Sequence, residues 1–394
     1  MAEPGAPGPG PLAGVRVVEL AGIGPAPFAG MLLADLGADV VHVDRPGGVS
    51  LGIAPEYDVT RRGKRTLTVD LKAPDGPARV LGLAERADIL IEGLRPGVTE
   101  RLGIGPAACH ARNPRLVYGR TTGWGQHGPL APRAGHDIAY LAVTGTLGMI
   151  GTPGQPPPPP ANLLGDYAGG GLYLVVGVLA ALHHARVHGT GQVVDAAIVD
   201  GTAHLSAMLH GMLAAGAWQD RRAANLLDGG CPYYGTYETA DGRYMAVGAL
   251  EPRFYAEFTR LLGLDGADGA RTDVTRWDAL RASVAARFRT RTREEWTAVF
   301  ADSDACVAPV LSLREAPAHP HLAARATFTE RDGIPQPAPA PRFSATPTAL
   351  GERPARLGGD LAEVARDWDV PALLGDPPPA TRSPRAPRRK AREP

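Results

Sequence analysis

Three stretches of the sequence place an acidic or basic side chain where a helix is predicted to begin. The stretch "AGHDIAY" contains His136 and Asp137, "NLLGDYAGGG" contains Asp166, and "ALEPRFY" contains Glu251. Imidazole and carboxylate groups are the side chains that enzymes use most often as general acids and bases. The aligned N–H groups at a helix start also favour an anion. The pattern therefore predicts an acid–base site at helix starts.

Each of these residues also has a purely structural interpretation. Asp137 and Asp166 suit the N-cap of a helix, and Glu251 precedes a proline, which suits the first helical position. A lone histidine such as His136 is most often a core residue. The glycines at positions 169–171 cost about 1 kcal/mol each relative to alanine inside a helix. A run of residues with such low helix propensity indicates that another backbone or a bulky ligand comes close there.

The N-terminal third of the chain predicts a strand, a helix and a second strand. In "GVRVVELAGIGPAPFAGMLLADLGADVVHVDRP", residues 15–20 and 40–43 are apolar strands. Residues 28–36 have helical periodicity, and Gly37 ends the helix. The apolar segment "IAYLAVTGTLGMI" after Asp137 predicts a buried helix, and a long apolar helix is expected from Asp166 to a stop at Gly189. The succession of strands and helices predicts an α/β fold.

The first βαβ unit carries an incomplete dinucleotide fingerprint. The three glycine positions of that fingerprint hold Gly22, Gly24 and Pro27, and the third glycine normally permits close packing of helix and strand. Asp44 stands where a ribose-binding carboxylate is expected, but Arg45 follows it directly. The pattern predicts the βαβ architecture and argues against nicotinamide or flavin binding.

Basic residues recur near the ends of the predicted strands. They are Arg45, Arg61, Arg62, Lys64, Arg65, Lys72, Arg95 and Arg101. The buried strand "ADILIE" ends just before "GLRPGV", so this loop lies where ligands bind in open α/β sheets. Surface charge explains any one of these residues alone, but guanidinium groups match phosphate oxygens well. As a group they predict a phosphate site.

Composition narrows the class of protein further. The 394 residues carry a formal net charge of zero, so no global field favours nucleic acid or an anionic membrane. Cys109, Cys231 and Cys306 lack CxxC spacing, which argues against disulfides and a zinc site. The N-terminus lacks the pattern of a signal peptide, and the longest apolar run, residues 172–182, is too short to span a bilayer. A cytoplasmic protein without membrane or nucleic-acid partners is expected.

The motifs together resemble the α-methylacyl-CoA racemases, a branch of the family III CoA-transferase superfamily. The resemblance rests on "TGWGQHGP", "AGHDIAY", "NLLGDYAGGG" and "GQVVDAAIVDGTAHL", among others, and runs from about residue 11 to residue 345. It implies an α/β fold with a Rossmann-like large domain, a smaller α/β domain and an interlocked homodimer. Each active site would lie between the large domain of one subunit and the small domain of the other.

The resemblance also implies a domain scheme. Residues 11–200 would form the CoA-binding large domain, completed by about residues 330–370. Residues 201–224 would be a linker helix and residues 225–320 the small domain. Disordered extensions are expected at residues 1–10 and 377–394, and the proline-rich residues 155–160 are expected to form an exposed loop.

By the resemblance, His136 and Asp166 are the two acid–base groups that flank the α-carbon of an acyl-CoA. Glu251 would orient His136, and the backbone N–H of Asp137 would donate to the thioester oxygen. No metal is implied, and CoA is part of the substrate, so no separate cofactor is expected. The implied CoA-binding positions are Arg45, Val69, Asp70, Leu71, Lys72, Gly93, Leu94, Arg95, Arg101, Gly135 and Tyr140.

The implied reaction is cofactor-independent racemisation at C2 of a 2-methylacyl-CoA through an enolate. Inversion by proton transfer requires two groups on opposite faces of the carbon, which His136 and Asp166 would supply. The alternative within the superfamily is CoA transfer between carboxylic acids, with Asp166 as the nucleophile. A catalytically silent CoA-binding protein is a second alternative. The transferases lack a pair like His136 and Glu251, so this pair favours the racemase.

Overall fold

A computed structural model describes residues 10–48, 52–264, 268–352 and 358–374. Most of the predicted N-terminal extension and all of the predicted basic tail lie outside these residues. The α-helices are α1 (Pro25–Asp35), α2 (Gly76–Arg86), α3 (Val98–Arg101), α4 (Pro106–Arg112), α5 (Asp137–Val143), α6 (Tyr173–His188), α7 (Ile198–Leu205), α8 (Ala207–Ala214), α9 (Pro252–Leu262), α10 (Trp277–Phe288), α11 (Arg293–Phe300), α12 (Pro320–Ala324) and α13 (Leu361–Asp367).

The strands are β1 (Arg16–Leu20), β2 (Asp39–Asp44), β3 (Lys64–Thr68), β4 (Ile89–Glu92), β5 (Val117–Thr122), β6 (Val193–Ala197), β7 (Tyr234–Glu238), β8 (Tyr244–Gly248), β9 (Val307–Pro309), β10 (Phe328–Arg331) and β11 (Ile334–Pro337). A π-helical segment, Leu163–Leu172, leads directly into α6. Single 3₁₀ turns occur at Pro55–Tyr57, Val59–Arg61, Leu147–Met149, Asp268–Ala270, Val274–Arg276, Ala316–Ala318 and Pro371–Leu374.

The six N-terminal strands form one sheet in the order β3-β2-β1-β4-β5-β6. Pairing is parallel between β3 and β2, β2 and β1, β1 and β4, and β4 and β5. This is the strand order of the Rossmann fold, in which ligands bind beyond the carboxyl ends of the strands. The α/β class expected from the sequence is confirmed.

The first βαβ unit has its boundaries set by local sequence. Gly24 adopts a left-handed φ of 81° and caps α1, and Pro25 occupies the first helical position. Gly37, with φ 97°, follows the last turn. The helix was predicted to start at residue 28 and starts at Pro25 instead, because prolines are compatible with a first helical turn.

The chain divides into two compact units. The first unit comprises the described residues of Met1–Thr121, Leu174–Asp195 and Pro339–Pro394, and the second those of Thr122–Tyr173 and Ala196–Ala338. In the first unit, Val364 and Trp368 from α13 and its C-cap join Val18 and Leu90 of the sheet in one buried cluster. The predicted domain boundaries stay predictions.

The second unit has its own apolar core around a small sheet. Strands β7, β8 and β9 pair antiparallel in that order. Their inner face packs with α9, α10 and α11 through a cluster that includes Phe258, Phe288 and Trp296. β10 and β11 form a separate antiparallel hairpin. Residues 155–160 are a loop in which Pro156, Pro158 and Pro159 are exposed, as predicted.

The long apolar helix ends at Gly189, which has a left-handed φ of 76°, as predicted. It begins differently, because Asp166 lies inside the π-helical segment, whose N-cap is Asn162. The continuous stretch Leu163–His188 is long and apolar enough to cross a membrane by length and composition alone, and 39% of its most apolar part is buried within the chain. Residues 172–182 are thus only a portion of a longer apolar helical stretch. Core helices of globular proteins pass the same test.

Candidate active site

His136 stands at the start of α5 with its ring accessible. It is the N-cap residue, with an extended φ of −135°, and its carbonyl accepts a 2.8 Å hydrogen bond from the Ala139 amide. The imidazole is exposed and makes no hydrogen bond to any described residue. His136 is therefore not a satisfied core histidine. The helix is also less buried than predicted, because Ile138 and Val143 remain 46% and 66% exposed.

The carboxylate of Asp137 reaches the π-helical segment and does not cap its own helix. Its Oδ1 accepts a 2.7 Å hydrogen bond from the backbone N–H of Asp166. The structural interpretation of both aspartates as N-caps is therefore wrong. Asp137 is instead the first residue of α5, and Asp166 lies in the first turn of the π-helix. The contact brings Asp137 and Asp166 side by side although 29 residues separate them.

Two glycines of the π-helical segment make its close contacts possible. A Cβ on Gly165 would overlap the carboxylate of Asp137, and a Cβ on Gly169 would overlap Thr202 of α7. Conversely, a Cβ on Gly201 would overlap the carbonyl of Gly169. The prediction that another backbone comes close to the glycine run is confirmed at Gly169.

Burial and a neighbouring charge make the Asp166 carboxyl a weaker acid than an ordinary aspartate. Desolvation and the neighbouring Asp137 charge raise its pKa to about 6, while Asn162 and His136 act in the opposite direction. Burial also raises the pKa of Asp137, although the amides of Asp166 and Gly165 oppose this. A carboxyl with a pKa near 6 exchanges its proton readily at neutral pH, as a general acid–base group must.

The backbone N–H of Asp137 is a candidate donor to a bound ligand. It is the first N–H of α5, and it donates to no acceptor among the described residues. The first N–H groups of a helix lack intrahelical partners and favour a negative oxygen. The assignment of this N–H to a thioester oxygen stays a prediction.

Tyr140 and Gly135, both predicted to bind CoA, pack against each other. The Tyr140 ring is 7% exposed and meets Trp124 edge-on at a centroid distance of 4.8 Å. A Cβ on either Gly123 or Gly135 would overlap this ring. Within the chain these residues therefore fix the "TGWGQHGP" loop against α5.

Glu251 occupies the N-cap of α9, as predicted, without a side-chain capping bond. Its carboxylate is exposed and has no hydrogen-bond partner in the part of the chain that the structure describes. The helix start is held by Arg271, which donates hydrogen bonds of 2.6 and 3.1 Å to the carbonyl of Leu250. The predicted bond between Glu251 and His136 is thus not made within one chain.

A cavity of about 630 Å³ opens at the carboxyl ends of β1, β2 and β3 in the first unit. Its lining includes six of the predicted CoA-binding residues, which are Arg45, Val69, Asp70, Leu71, Lys72 and Leu94. Gly93, Arg95 and Arg101 do not line it. Sequence reasoning missed the apolar lining residues Leu20, Val43, Val98 and Leu102. Their signal was their position at the ends of strands, or within or just after the "GLRPGV" segment.

Six of the eight cations in the predicted cluster fall into two groups, while Arg95 and Arg101 are exposed and do not line the cavity. Arg45 and Lys72 line the cavity and are exposed. The other group is held in ion pairs, which are Arg61–Asp44, Arg62–Asp35, Lys64–Glu19 and Arg65–Asp39, at 2.5–3.3 Å. The prediction that the second group contributes to a phosphate site is therefore wrong, because these cations neutralise carboxylates of the fold.

Asp44 lines the cavity, but both of its carboxylate oxygens already accept hydrogen bonds from the protein. Its Oδ1 accepts the Arg45 amide at 2.9 Å, and its Oδ2 accepts Arg61 at 3.3 and 3.4 Å. It therefore differs from a ribose-binding carboxylate, whose oxygens must be available to the ligand. No group of three or more potential metal ligands occurs among the described residues.

The comparisons with known proteins agree with the resemblance found in the sequence. The model of CoA-transferase family III matches residues 12–361. The chain is 44% identical over 360 residues to the alpha-methylacyl-CoA racemase of Mus musculus, covering 91% of this chain and 93% of that protein. It is 46% identical over 334 residues to the Homo sapiens protein of the same name, covering 83% and 86%.

A solved structure shares the fold. The crystal structure of a CAIB/BAIF family protein from Brucella suis matches with a TM-score of 0.79 at 28% identity, covering 91% of this chain and all of that one. The family match spans both compact units, and the relatives are covered over most of their length. The chain belongs to CoA-transferase family III.

Proposed function

We propose that the protein is a racemase that inverts C2 of 2-methylacyl-CoA thioesters. The observation that carries the proposal is the Asp166 carboxyl, whose pKa is raised to about 6 beside the accessible imidazole of His136. The two relatives described above, at 44% and 46% identity, are named alpha-methylacyl-CoA racemases. A reaction that must run in both directions requires two groups that can each give up and take up a proton.

The reaction is a 1,1-proton transfer. One group removes the C2 proton as a base, and the C–H electron pair moves into the thioester to form an enolate. The other group, protonated beforehand, delivers its proton to the opposite face of C2. For one epimer Asp166 is the base and His136 the acid, and for the other epimer the roles exchange.

The enolate requires a fixed hydrogen-bond donor. We assign this role to the backbone N–H of Asp137, which has no acceptor among the described residues. A single donor of this kind contributes about 3–4 kcal/mol to the transition state. The carboxylate of Asp137 fixes Asp166 at the same time, through the 2.7 Å bond to its amide.

The nucleotide end of CoA is assigned to the cavity of the first unit. Its volume of about 630 Å³ and its mixed apolar and cationic lining suit a phosphorylated nucleotide. Arg45 and Lys72 would meet phosphate oxygens, and Leu20, Val43 and Leu94 the apolar faces. Arg95 and Arg101 remain candidates for phosphate groups outside the cavity. No separate cofactor is proposed.

We further propose that the protein works as an interlocked homodimer in the cytoplasm, without a nucleic-acid or membrane partner. Glu251 has no partner among the described residues of its own chain, which supports its assignment to the His136 of a second copy. In that arrangement Glu251 would orient the imidazole and act as a positioning residue.

Isotope exchange tests the reaction. Each pure epimer of a 2-methylacyl-CoA is incubated with the protein in D₂O, and the products are analysed by NMR and chiral separation. The proposal predicts deuterium at C2, formation of the other epimer and no free carboxylic acid. Transfer of CoA to an added carboxylate without deuterium at C2 would contradict it and would indicate an Asp166 nucleophile.

A further inference from the structure

A buried ion network in the first unit is hydrogen-bonded to segments that contribute residues to the cavity lining. Arg120, near the end of β5, is 5% exposed, and Glu92, the last residue of β4, is completely buried. The guanidinium Nε donates to Glu92 Oε1 at 2.8 Å, and its Nη1 donates to Glu100 Oε1 at 2.7 Å. One cation therefore bridges two carboxylates from different segments.

Glu92 also holds the loop that follows it. Its second oxygen, Oε2, accepts a 2.6 Å hydrogen bond from the backbone N–H of Leu94. Leu94 lines the cavity, whereas Glu92 does not. The carboxylate thus fixes the backbone of a wall residue from behind, while Arg120 fixes the carboxylate.

The same guanidinium holds the second part of this wall. Its Nη2 donates to Thr99 Oγ1 at 3.2 Å and to Glu100 Oε2 at 3.3 Å, and both residues belong to α3. Val98, which begins α3, and Leu102, which follows it, line the cavity. The loop and the short helix are therefore held by one side chain that does not itself line the cavity.

Stability alone does not explain this arrangement. Desolvation raises the pKa of Glu92 despite the Leu94 amide and Arg120, so the ionised carboxylate is costly to bury. Replacing a buried ion pair with apolar residues is often neutral or stabilising. The network instead fixes the position of Leu94 relative to Val98 and Leu102.

We propose that Arg120 is a positioning residue for the nucleotide end of CoA, acting through Glu92 on Leu94 and through Glu100 on α3. The proposal rests on the assignment of CoA to this cavity. It concerns binding and not proton transfer, because neither Arg120 nor Glu92 lines the cavity or belongs to the acid–base set.

The test measures the binding of free CoA by calorimetry to the full chain carrying Arg120→Met. The Kd should rise about ten-fold, as expected when a support behind a ligand-contacting residue is lost. Arg120→Lys, which retains the charge but cannot reach both carboxylates with a fork, should give an intermediate Kd. The matched control is Arg86→Met, which removes an exposed ion pair with Asp369 away from the cavity and should leave Kd unchanged.

Two further readouts separate positioning from general destabilisation. Hydrogen exchange over residues 93–102 should accelerate in Arg120→Met and not in the control, because the Leu94 amide loses its fixed acceptor. With a racemisable acyl-CoA, KM should rise while kcat stays near that of the parent protein. An unchanged Kd, or a fall in kcat at unchanged Kd, would overturn the proposal.

If Arg120→Met does not fold, the Kd for CoA is measured with the isosteric Glu92→Gln variant instead. A raised Kd for CoA supports the proposal, and a Kd equal to that of the parent protein overturns it. The binding test uses free CoA and does not depend on the reaction. If the Kd values of the variants follow the expected order but the parent protein does not racemise acyl-CoA, only the proposed reaction is refuted. A parent protein that binds no CoA would refute the positioning role whatever its activity.

Discussion

The backbone amide of Asp166 donates a 2.7 Å hydrogen bond to the carboxylate of Asp137. This bond joins the first turn of α5 to the first turn of the π-helical segment. It places a negative charge beside Asp166, and that charge is the second cause, after burial, of the raised pKa of Asp166. One residue therefore positions the proposed proton carrier and adjusts its acidity.

Asp137→Asn should lower the pKa of Asp166. The amide oxygen can still accept the Asp166 N–H, but the neighbouring negative charge is gone. For the epimer from which Asp166 removes the proton, Asp166 must be ionised, so the acidic limb of kcat/KM should move to lower pH. The pH profile for each epimer measures this. Asp302→Asn, which changes an exposed carboxylate of the same unit, should leave the limb in place.

Asp166→Asn should stabilise the protein at high pH while removing racemisation. The folded pKa of about 6 exceeds the ordinary value of 3.8, so ionised Asp166 costs stability above about pH 6 and costs nothing below about pH 4. The gain at pH 8 should be about 1 kcal/mol, less than the full pKa shift implies because solvent screens the half-buried group. Denaturant unfolding at pH 8 and pH 4, at one protein concentration, measures the difference. A less stable variant at pH 8 would refute this account of Asp166.

Gly165→Ala should disrupt the contact between Asp137 and Asp166. The new Cβ would overlap the Asp137 carboxylate, so the carboxylate must move and the Asp166 amide loses its acceptor. We expect kcat to fall by about 10²-fold, the effect that a misplacement of about 1 Å can have. Steady-state kinetics measures it. Gly211→Ala, in α8, meets no atom within 4 Å and should leave kcat unchanged. Equal kcat values for both variants would show that the contact is dispensable.

The parts of the fold that depend on local sequence were predictable. Gly24, Pro25 and Gly37 mark the ends of α1 through their own backbone preferences, and the buried strands flank them. The π-helical start around Asp166 was not predictable, because it depends on a side chain 29 residues away. The apolar sequence of α5 predicted burial, whereas Ile138 and Val143 are exposed in the chain.

In the candidate site too, features that follow from local sequence were predictable, and features that depend on distant residues were not. The cavity at the strand ends follows from the general position of ligands in α/β sheets, and Arg45 and Lys72 do lie there. Charge alone could not separate these cations from Arg62 and Lys64, whose partners Asp35 and Glu19 are distant in sequence. The network around Arg120 was missed for the same reason, although a charged residue at the end of a buried strand was its signal.

Mixing two variants that are each expected to lack activity tests whether the site is shared between subunits. His136→Ala and Glu251→Ala are co-refolded in equal amounts, and the activity is compared with that of each variant refolded alone. If His136 of one chain works with Glu251 of another, a mixed dimer has one intact site and one doubly altered site. Random pairing then restores activity to about a quarter of the sites. Activity no higher than that of the separate variants would refute the shared site.

The most direct test of the two-sided reaction follows C2 exchange in D₂O with each acid–base variant and each pure epimer. If His136 and Asp166 serve opposite faces, Asp166→Asn should still exchange the C2 proton of one epimer, the one that His136 deprotonates. His136→Ala should exchange only the other epimer, and neither variant should convert one epimer into the other. NMR of C2 deuterium in each recovered epimer measures this. Exchange of the same epimer by both variants, or continued racemisation by either one, would contradict the account.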